Sequence, residues 1–122
     1  MIGYVTLGTN DLPRAAAFYD KLLAGMGAKR LWESERGIGW GVSMNVPSVA
    51  VMKPFDGKAA TIGNGTMVAM VVNSKDKVDT LHQLALSLGG TDEGAPGPRG
   101  ESYYGGYFRD LDGNKLNFFC MG

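Results

Sequence analysis

The chain has little of the usual catalytic equipment: one histidine and one cysteine among 122 residues. The lone cysteine, Cys120, cannot form an intrachain disulfide. That excludes a disulfide-stapled secreted scaffold and predicts a reducing, cytoplasmic setting. Neither sign of charge is in excess, since twelve Lys+Arg balance twelve Asp+Glu and the formal net charge is zero. Nucleic acid and anionic membrane surfaces both call for a basic excess or patch, so neither is expected as a partner. No run of about 18 apolar residues is present, which excludes a transmembrane helix. The first residues, MIGYVTLGTND, lack the basic segment that opens a signal peptide, and no leader is expected. What the chain does have is glycine: 19 residues, about twice the usual share of roughly 7%. Spread through a mixed sequence, that predicts many tight turns. With 44% hydrophobic and 20% charged residues the composition is that of an ordinary globular domain. A chain of this length buries roughly two thirds of its unfolded surface, enough for a core without staples.

Periodicity orders the chain into two similar halves. Met1–Gly8 alternates as a strand. Thr9, Asn10 and Asp11 offer helix caps, and Pro13 suits a first helical turn. Leu12, Ala15, Ala16, Tyr19, Leu22, Leu23 and Met26 then recur at spacings of three and four, the apolar face of an amphipathic helix that Gly27 ends. Short strands are expected near Ala28–Glu33, Gly39–Met44 and Ser48–Lys53, and a loop over Pro54–Gly65. The order then repeats: a strand over Thr66–Val72, caps at Asn73 and Ser74, and a helix carrying Val78, Leu81, Leu84, Ala85 and Leu88 that stops at Gly89-Gly90. A short extended piece leads into a Gly/Pro loop, Gly94–Gly100. Two strands, Tyr103–Arg109 and Lys115–Cys120, follow, with Asp112-Gly113 supplying positive φ for their turn. Sliding the first half by 63 positions sets Tyr4 on Met67, Asn10 on Asn73 and Gly27 on Gly90. An internal duplication accounts for this arrangement. Each half is too small to bury its own sheet well, so the two are expected to share one concave interior with the helices outside.

The stretches GTNDLPRAAAFYDKLL, DGKAATIGNGTM, VDTLHQLALSLGG and YYGGYFRDLDGNKLNFF resemble the glyoxalase/bleomycin resistance/extradiol dioxygenase group, the vicinal oxygen chelate superfamily. The resemblance covers nearly the whole chain and follows the repeat. It implies an α+β fold of two βαβββ modules forming a U-shaped cavity, often in a dimer. The chain is then one domain over 1–122, with modules near 1–55 and 66–122 joined by a linker near 56–65. For activity the resemblance says less, because this fold hosts many chemistries.

Relatives usually hold one divalent metal with inward-facing His and Glu. Carried over position by position, the resemblance places Tyr4 where a His often stands on the first strand. It places Met67 where relatives read GNGTH, and Asn117 where a Glu is common after DGN. The matching stretch of the first half, Val49–Met52, has no ionisable group. Zinc, nickel, iron or manganese need imidazole, carboxylate or thiolate donors, so no metal and no cofactor are expected.

His82, the only histidine, lies at the edge of the second helix's apolar stripe and is read as a structural hydrogen-bonder. Cys120 is read as a buried apolar residue with no activating neighbour. Arg109 and Asp110 are read as turn-stabilising, and Gly63-Asn64-Gly65 as a turn. Tyr4, Met67 and Asn117 inherit cavity-facing positions. The aromatics Tyr103, Tyr104, Tyr107 and Trp40 join them as candidate ligand-binding residues, with Trp32 a further aromatic and Arg99 a candidate partner for a carboxylate or phosphate. Alternation sends only one of Tyr103 and Tyr104 inward. The function expected is binding of a small, largely apolar or aromatic organic molecule by a homodimer that has lost the family metal, with no catalytic residue assigned. One alternative is a lyase, isomerase or dioxygenase-type enzyme with a rebuilt metal site or metal-free tyrosine chemistry. The other is a non-catalytic assembly module.

Overall fold

The computed structural model describes residues 1–122 and contains two compact units, Met1–Ile62 and Gly63–Gly122. The first runs β1 (Tyr4–Gly8), α1 (Leu12–Ala24), β2 (Lys29–Glu33), β3 (Gly37–Gly41) and β4 (Ser48–Met52). Its sheet has the order β1-β4-β3-β2, with β1 parallel to β4 and the other pairs antiparallel. The Asp11 carboxylate caps α1 by accepting the Arg14 N–H at 3.1 Å, and Pro13 sits in the first turn. The helix stops at Ala24, short of Met26, and Gly27 turns the chain at φ +77°.

The face of α1 that the spacing picks out is buried. Leu12, Ala15, Ala16, Tyr19, Leu22 and Leu23 are joined by Phe18. On the sheet, Trp40 packs 5.5 Å from the Tyr19 ring, and its indole N–H donates to Asp20 Oδ1 at 2.8 Å. The same carboxylate takes Arg30 Nε at 2.9 Å and Nη2 at 2.8 Å, while Arg30 Nη1 reaches Glu33 at 2.8 Å. The bond to Arg30 above all, assisted by the indole and opposed by desolvation, holds the Asp20 carboxyl below its ordinary value. A lowered folded-state value means that the unfolded chain takes up this proton first. The pair's contribution is therefore complete above about pH 4 and is lost as pH falls through the folded-state value. Asp20→Asn, which keeps an acceptor for Trp40, is expected to cost no more than about 1 kcal/mol at neutral pH, because the pair is part-exposed. It is also expected to flatten the acid limb of stability. Urea midpoints measured from pH 2.5 to 7 check this, and parallel curves for the two proteins would refute it.

The second unit repeats the plan: β5 (Val68–Val71), α2 (Lys75–Ser87), β6 (Thr91–Pro98), β7 (Tyr103–Arg109) and β8 (Lys115–Met121), in the order β5-β8-β7-β6. Lys75 and Ser87 stand 63 residues after Leu12 and Ala24, so the two helices coincide under the shift seen in the sequence. Ser74 caps α2 by accepting the Lys77 N–H at 3.1 Å. The fold is α+β, built from two βαβββ modules.

Two local readings are corrected. Gly94–Gly100 is mostly strand, not loop: β6 runs to Pro98 as an edge strand against β7, with register irregularities between Asp92 and Gly94 and between Gly94 and Gly97. An edge strand tolerates proline because one row of its N–H groups has no partner to lose. The β7–β8 turn has positive φ only at Gly113. It is held by the buried Asp110, whose Oδ1 accepts the N–H groups of Asp112 and Asn114, each at 2.9 Å, while Oδ2 accepts Asn114 Nδ2 at 3.0 Å. His82 is buried, with Nε2 3.1 Å from the Tyr107 carbonyl and 3.2 Å from Asp92 Oδ1. Both neighbours are acceptors, so Nε2 carries the proton in a structural bond between α2 and the sheet.

Candidate ligand site

Each sheet has one face against its helix and one turned away. In the first sheet Ile38 and Trp40 lie towards α1, leaving Gly37, Gly39 and Gly41 on the other face. A β-bulge between Arg30 and Trp32 shifts the alternation of β2, and the side chains of both Leu31 and Trp32 reach this glycine-floored face. The Trp32 indole lies directly on Gly39, where an added Cβ would stand 2.3 Å from its Nε1. Its ring meets Tyr4 edge-on at 6.3 Å, and Tyr4 is exposed. Trp40, expected to line the cavity, instead belongs to the core beneath α1 at 1% exposure. The bulge decides which tryptophan faces outward, and sequence alternation does not show it.

In the second sheet the alternation of β7 divides its tyrosines. Tyr104 turns to α2, where its hydroxyl donates to Asp79 Oδ1 at 2.7 Å and Lys75 Nζ lies 5.6 Å from the ring centre. That bond, made by the neutral phenol to a carboxylate, raises the Tyr104 pKa above its ordinary value. Tyr104 thus lies on the α2 side of the sheet, apart from Tyr103 and Tyr107. Tyr103 and Tyr107 occupy the face opposite α2, with Asn117 directly across from Tyr107 and Phe119 across from Gly105. Lys115 and Phe119 flank Asn117 at spacings of two and share its face. Continuing the alternation of β5 puts the exposed Met67 on this face with Ala69, the partner of Asn117.

The centre of this face is tightly ordered. Tyr103 stacks on Phe119 with ring centres 4.9 Å apart and planes within 6°, and its hydroxyl donates to Asn117 Oδ1 at 2.8 Å. Asn117 Nδ2 donates to the carbonyls of Gly106 at 3.1 Å and Phe118 at 3.2 Å. Both amide hydrogens are thus committed, and the oxygen is fixed towards the phenol. Burial, reinforced by the neighbouring Tyr107 hydroxyl, raises the Tyr103 pKa above its ordinary value, so the phenol is a neutral donor at physiological pH. Gly105 is required beneath the pair: a Cβ there would stand 2.8 Å from Tyr103 Cε1 and 2.9 Å from Asn117 Nδ2. Asn117 was expected to line a cavity. It is fully buried and instead braces Tyr103 from below. Around the rim, the Arg99 guanidinium carbon and Lys115 Nζ lie 5.5 and 5.4 Å from the centre of the Tyr107 ring.

The structure thus brings Tyr103, Tyr107, Asn117 and Arg99 together and adds Phe119 and Lys115, which the sequence reading passed over. Both were reachable by counting two residues either way from Asn117. Tyr4 belongs to the other unit. A shallow groove of about 450 Å³ in the first unit, lined by Leu12, Pro13, Ala16, Arg30, Glu35, Ile38 and Lys53, contains none of these residues.

The family's divalent metal is not fitted by the groups at its expected positions. Tyr4 and Met67 offer a phenol and a thioether, and Asn117 offers only a neutral amide, fully buried with its oxygen turned to the Tyr103 phenol and both N–H groups bonded to main-chain carbonyls. No three His, Cys, Asp or Glu side chains converge anywhere in the chain.

Comparison with known proteins agrees with this architecture. Residues 1–118 match the model of the Glyoxalase/Bleomycin resistance protein/Dioxygenase superfamily, and the chain belongs to that superfamily. A glyoxalase/bleomycin resistance protein from Albidiferax ferrireducens T118 is 30% identical, with a TM-score of 0.91 over 100% of this chain and 99% of its own. A family enzyme from Burkholderia phytofirmans PsJN (18% identity, TM-score 0.78, 98% of both chains) has the same fold. So does the lactoylglutathione lyase of Agrobacterium tumefaciens (17% identity, TM-score 0.71, 98% of this chain and 92% of its own). No curated protein matches the sequence significantly.

Proposed function

We propose that this superfamily member binds a small, largely apolar or aromatic organic molecule without a metal, on the face of the second sheet opposite α2. The observation that carries the reading is Tyr103, stacked on Phe119 and locked by a fully buried asparagine. A buried amide spent on orienting a half-exposed ring has little use in a face that is merely core, whereas ligand sites are apolar surfaces with a few fixed polar groups. Tyr4, the residue that metal-free tyrosine chemistry would use, makes a ring contact with Trp32 and no hydrogen bond to a base.

The test uses 2-naphthol as a neutral aromatic probe. Thermal stabilisation that sets in near Kd, grows with the logarithm of probe concentration to about 2.7 kcal/mol at a hundredfold excess over Kd, and is unchanged by EDTA is expected. Tyr107→Ala is expected to weaken it at least severalfold. The absence of any such concentration-dependent effect, or an effect that chelation removes, would overturn the reading. Homodimerisation belongs to the same proposal and is supported by the exposed Ile2, Tyr4, Val42, Met44 and Val46 of the first unit. Sedimentation showing only a 13.0 kDa species would remove it.

A further inference from the structure

We propose that the aromatic face of the second sheet selects anionic aromatic molecules, with the ring placed against Tyr103, Tyr107 and Phe119 and the carboxylate or sulfonate held by Arg99 and Lys115. This rests on the binding proposal above and specifies the ligand's charge. The chain is neutral overall, so a local excess must come from cations whose charge is not met nearby. Arg30 is shared between Asp20 and Glu33, and Arg109, the third cation of this face, pairs with Glu93 and donates to the Gly113 carbonyl at 2.9 Å. Arg99 and Lys115 differ. Neither forms an ion pair, and Glu101, the acid in the turn between β6 and β7, pairs with neither.

Arg99 is nevertheless held in place. Nη2 donates to the Ala95 carbonyl at 2.9 Å and Nη1 to the Pro98 carbonyl at 3.3 Å, while the guanidinium lies over the Tyr107 ring. Carbonyls orient the group without cancelling its charge. Two of five N–H donors are used, which leaves three for a ligand. Gly94 keeps the space clear, since a Cβ there would lie 3.2 Å from Tyr107 Cδ2 and 3.4 Å from Arg99 Nη2. The result is two unneutralised cations on one tyrosine ring, beside a stacked aromatic pair, placed to make charge-assisted hydrogen bonds to an anion on a ring bound there.

Three probes of one ring system separate the possibilities: 2-naphthoate, neutral 2-naphthol and the cation 2-naphthylmethylammonium, titrated calorimetrically into the intact protein at low and high salt. Naphthoate is expected to bind about tenfold more tightly than naphthol, and the ammonium more weakly than either. The advantage of naphthoate should shrink as salt rises. Arg99→Gln with Lys115→Gln should bring naphthoate and naphthol to equal affinity; the readout is the ratio of the two within one protein, so any change in ring contact at Tyr107 cancels. Equal binding of naphthoate and naphthol by the parent, or a preference that survives the double substitution, overturns the charge assignment and leaves the binding proposal standing. Failure of all three probes overturns both.

Discussion

Trp40→Ala is expected to remove about 3–5 kcal/mol of stability, enough to unfold much of a domain whose total is typically 5–15 kcal/mol. The ring is 1% exposed, packs against Tyr19 on α1 and donates its indole N–H to Asp20. Truncation therefore opens a cavity between helix and sheet and takes one acceptor's partner away. Trp40→Phe should recover most of the loss, leaving a deficit of about 1–2 kcal/mol for the indole bond and the smaller ring. Trp32→Ala provides the contrast. Trp32 is half-buried on the opposite face, over Gly39, and its loss should cost clearly less because solvent can occupy the space. Urea titrations followed by far-UV circular dichroism check the ranking. A larger loss for Trp32 than for Trp40 would mean that the two tryptophans have exchanged faces.

That pair shows where sequence reading stopped. Both tryptophans sit in strands, and neither composition nor alternation says which one meets the helix. The answer lies in one extra residue at Leu31, a bulge with no signature in the local sequence. Similarly, Gly94, Pro96, Gly97 and Pro98 form strong loop signals, yet pairing with β7 makes them an edge strand. Long-range pairing outweighed local preference in both places. The helices were legible because their signals are local: Asp11 and Ser74 cap them, and their apolar spacing repeats 63 residues apart. The family resemblance rests on whole stretches such as DGKAATIGNGTM and YYGGYFRDLDGNKLNFF, which run along that repeat.

Candidate-site residues fell between these cases. Their strand faces could be counted from Asn117, which places Tyr107, Lys115 and Phe119 together. Depth could not be counted. Asn117 points to the expected face but is sealed under Tyr103, because Gly105 lets the phenol lie flat against the sheet. The position at which the family resemblance leads one to expect a metal ligand thus holds an aromatic ring here.

Asn117→Ala tests that role and carries the second large effect. The substitution removes three hydrogen bonds at once, from the Tyr103 phenol and to the Gly106 and Phe118 carbonyls, which keep their cross-strand partners, and it opens space at a fully buried position, at a cost of about 2–4 kcal/mol. Tyr103→Phe removes only the hydroxyl and is expected to cost about 1 kcal/mol, since one amide oxygen loses its donor. The double variant should be less destabilised than the sum, with a coupling of at least about 0.5 kcal/mol between residues in direct hydrogen bond. Stability alone would not separate bracing from ordinary packing, so 2-naphthol affinity is the second readout. Asn117→Ala should weaken it more than Tyr103→Phe does: both lose the hydrogen bond that anchors the ring, but only Asn117→Ala also leaves space beneath the ring into which it can shift. If Asn117→Ala lowers stability while leaving naphthol affinity intact at a temperature where the variant is folded, the asparagine is a core residue and the fixed ring is not part of a ligand site.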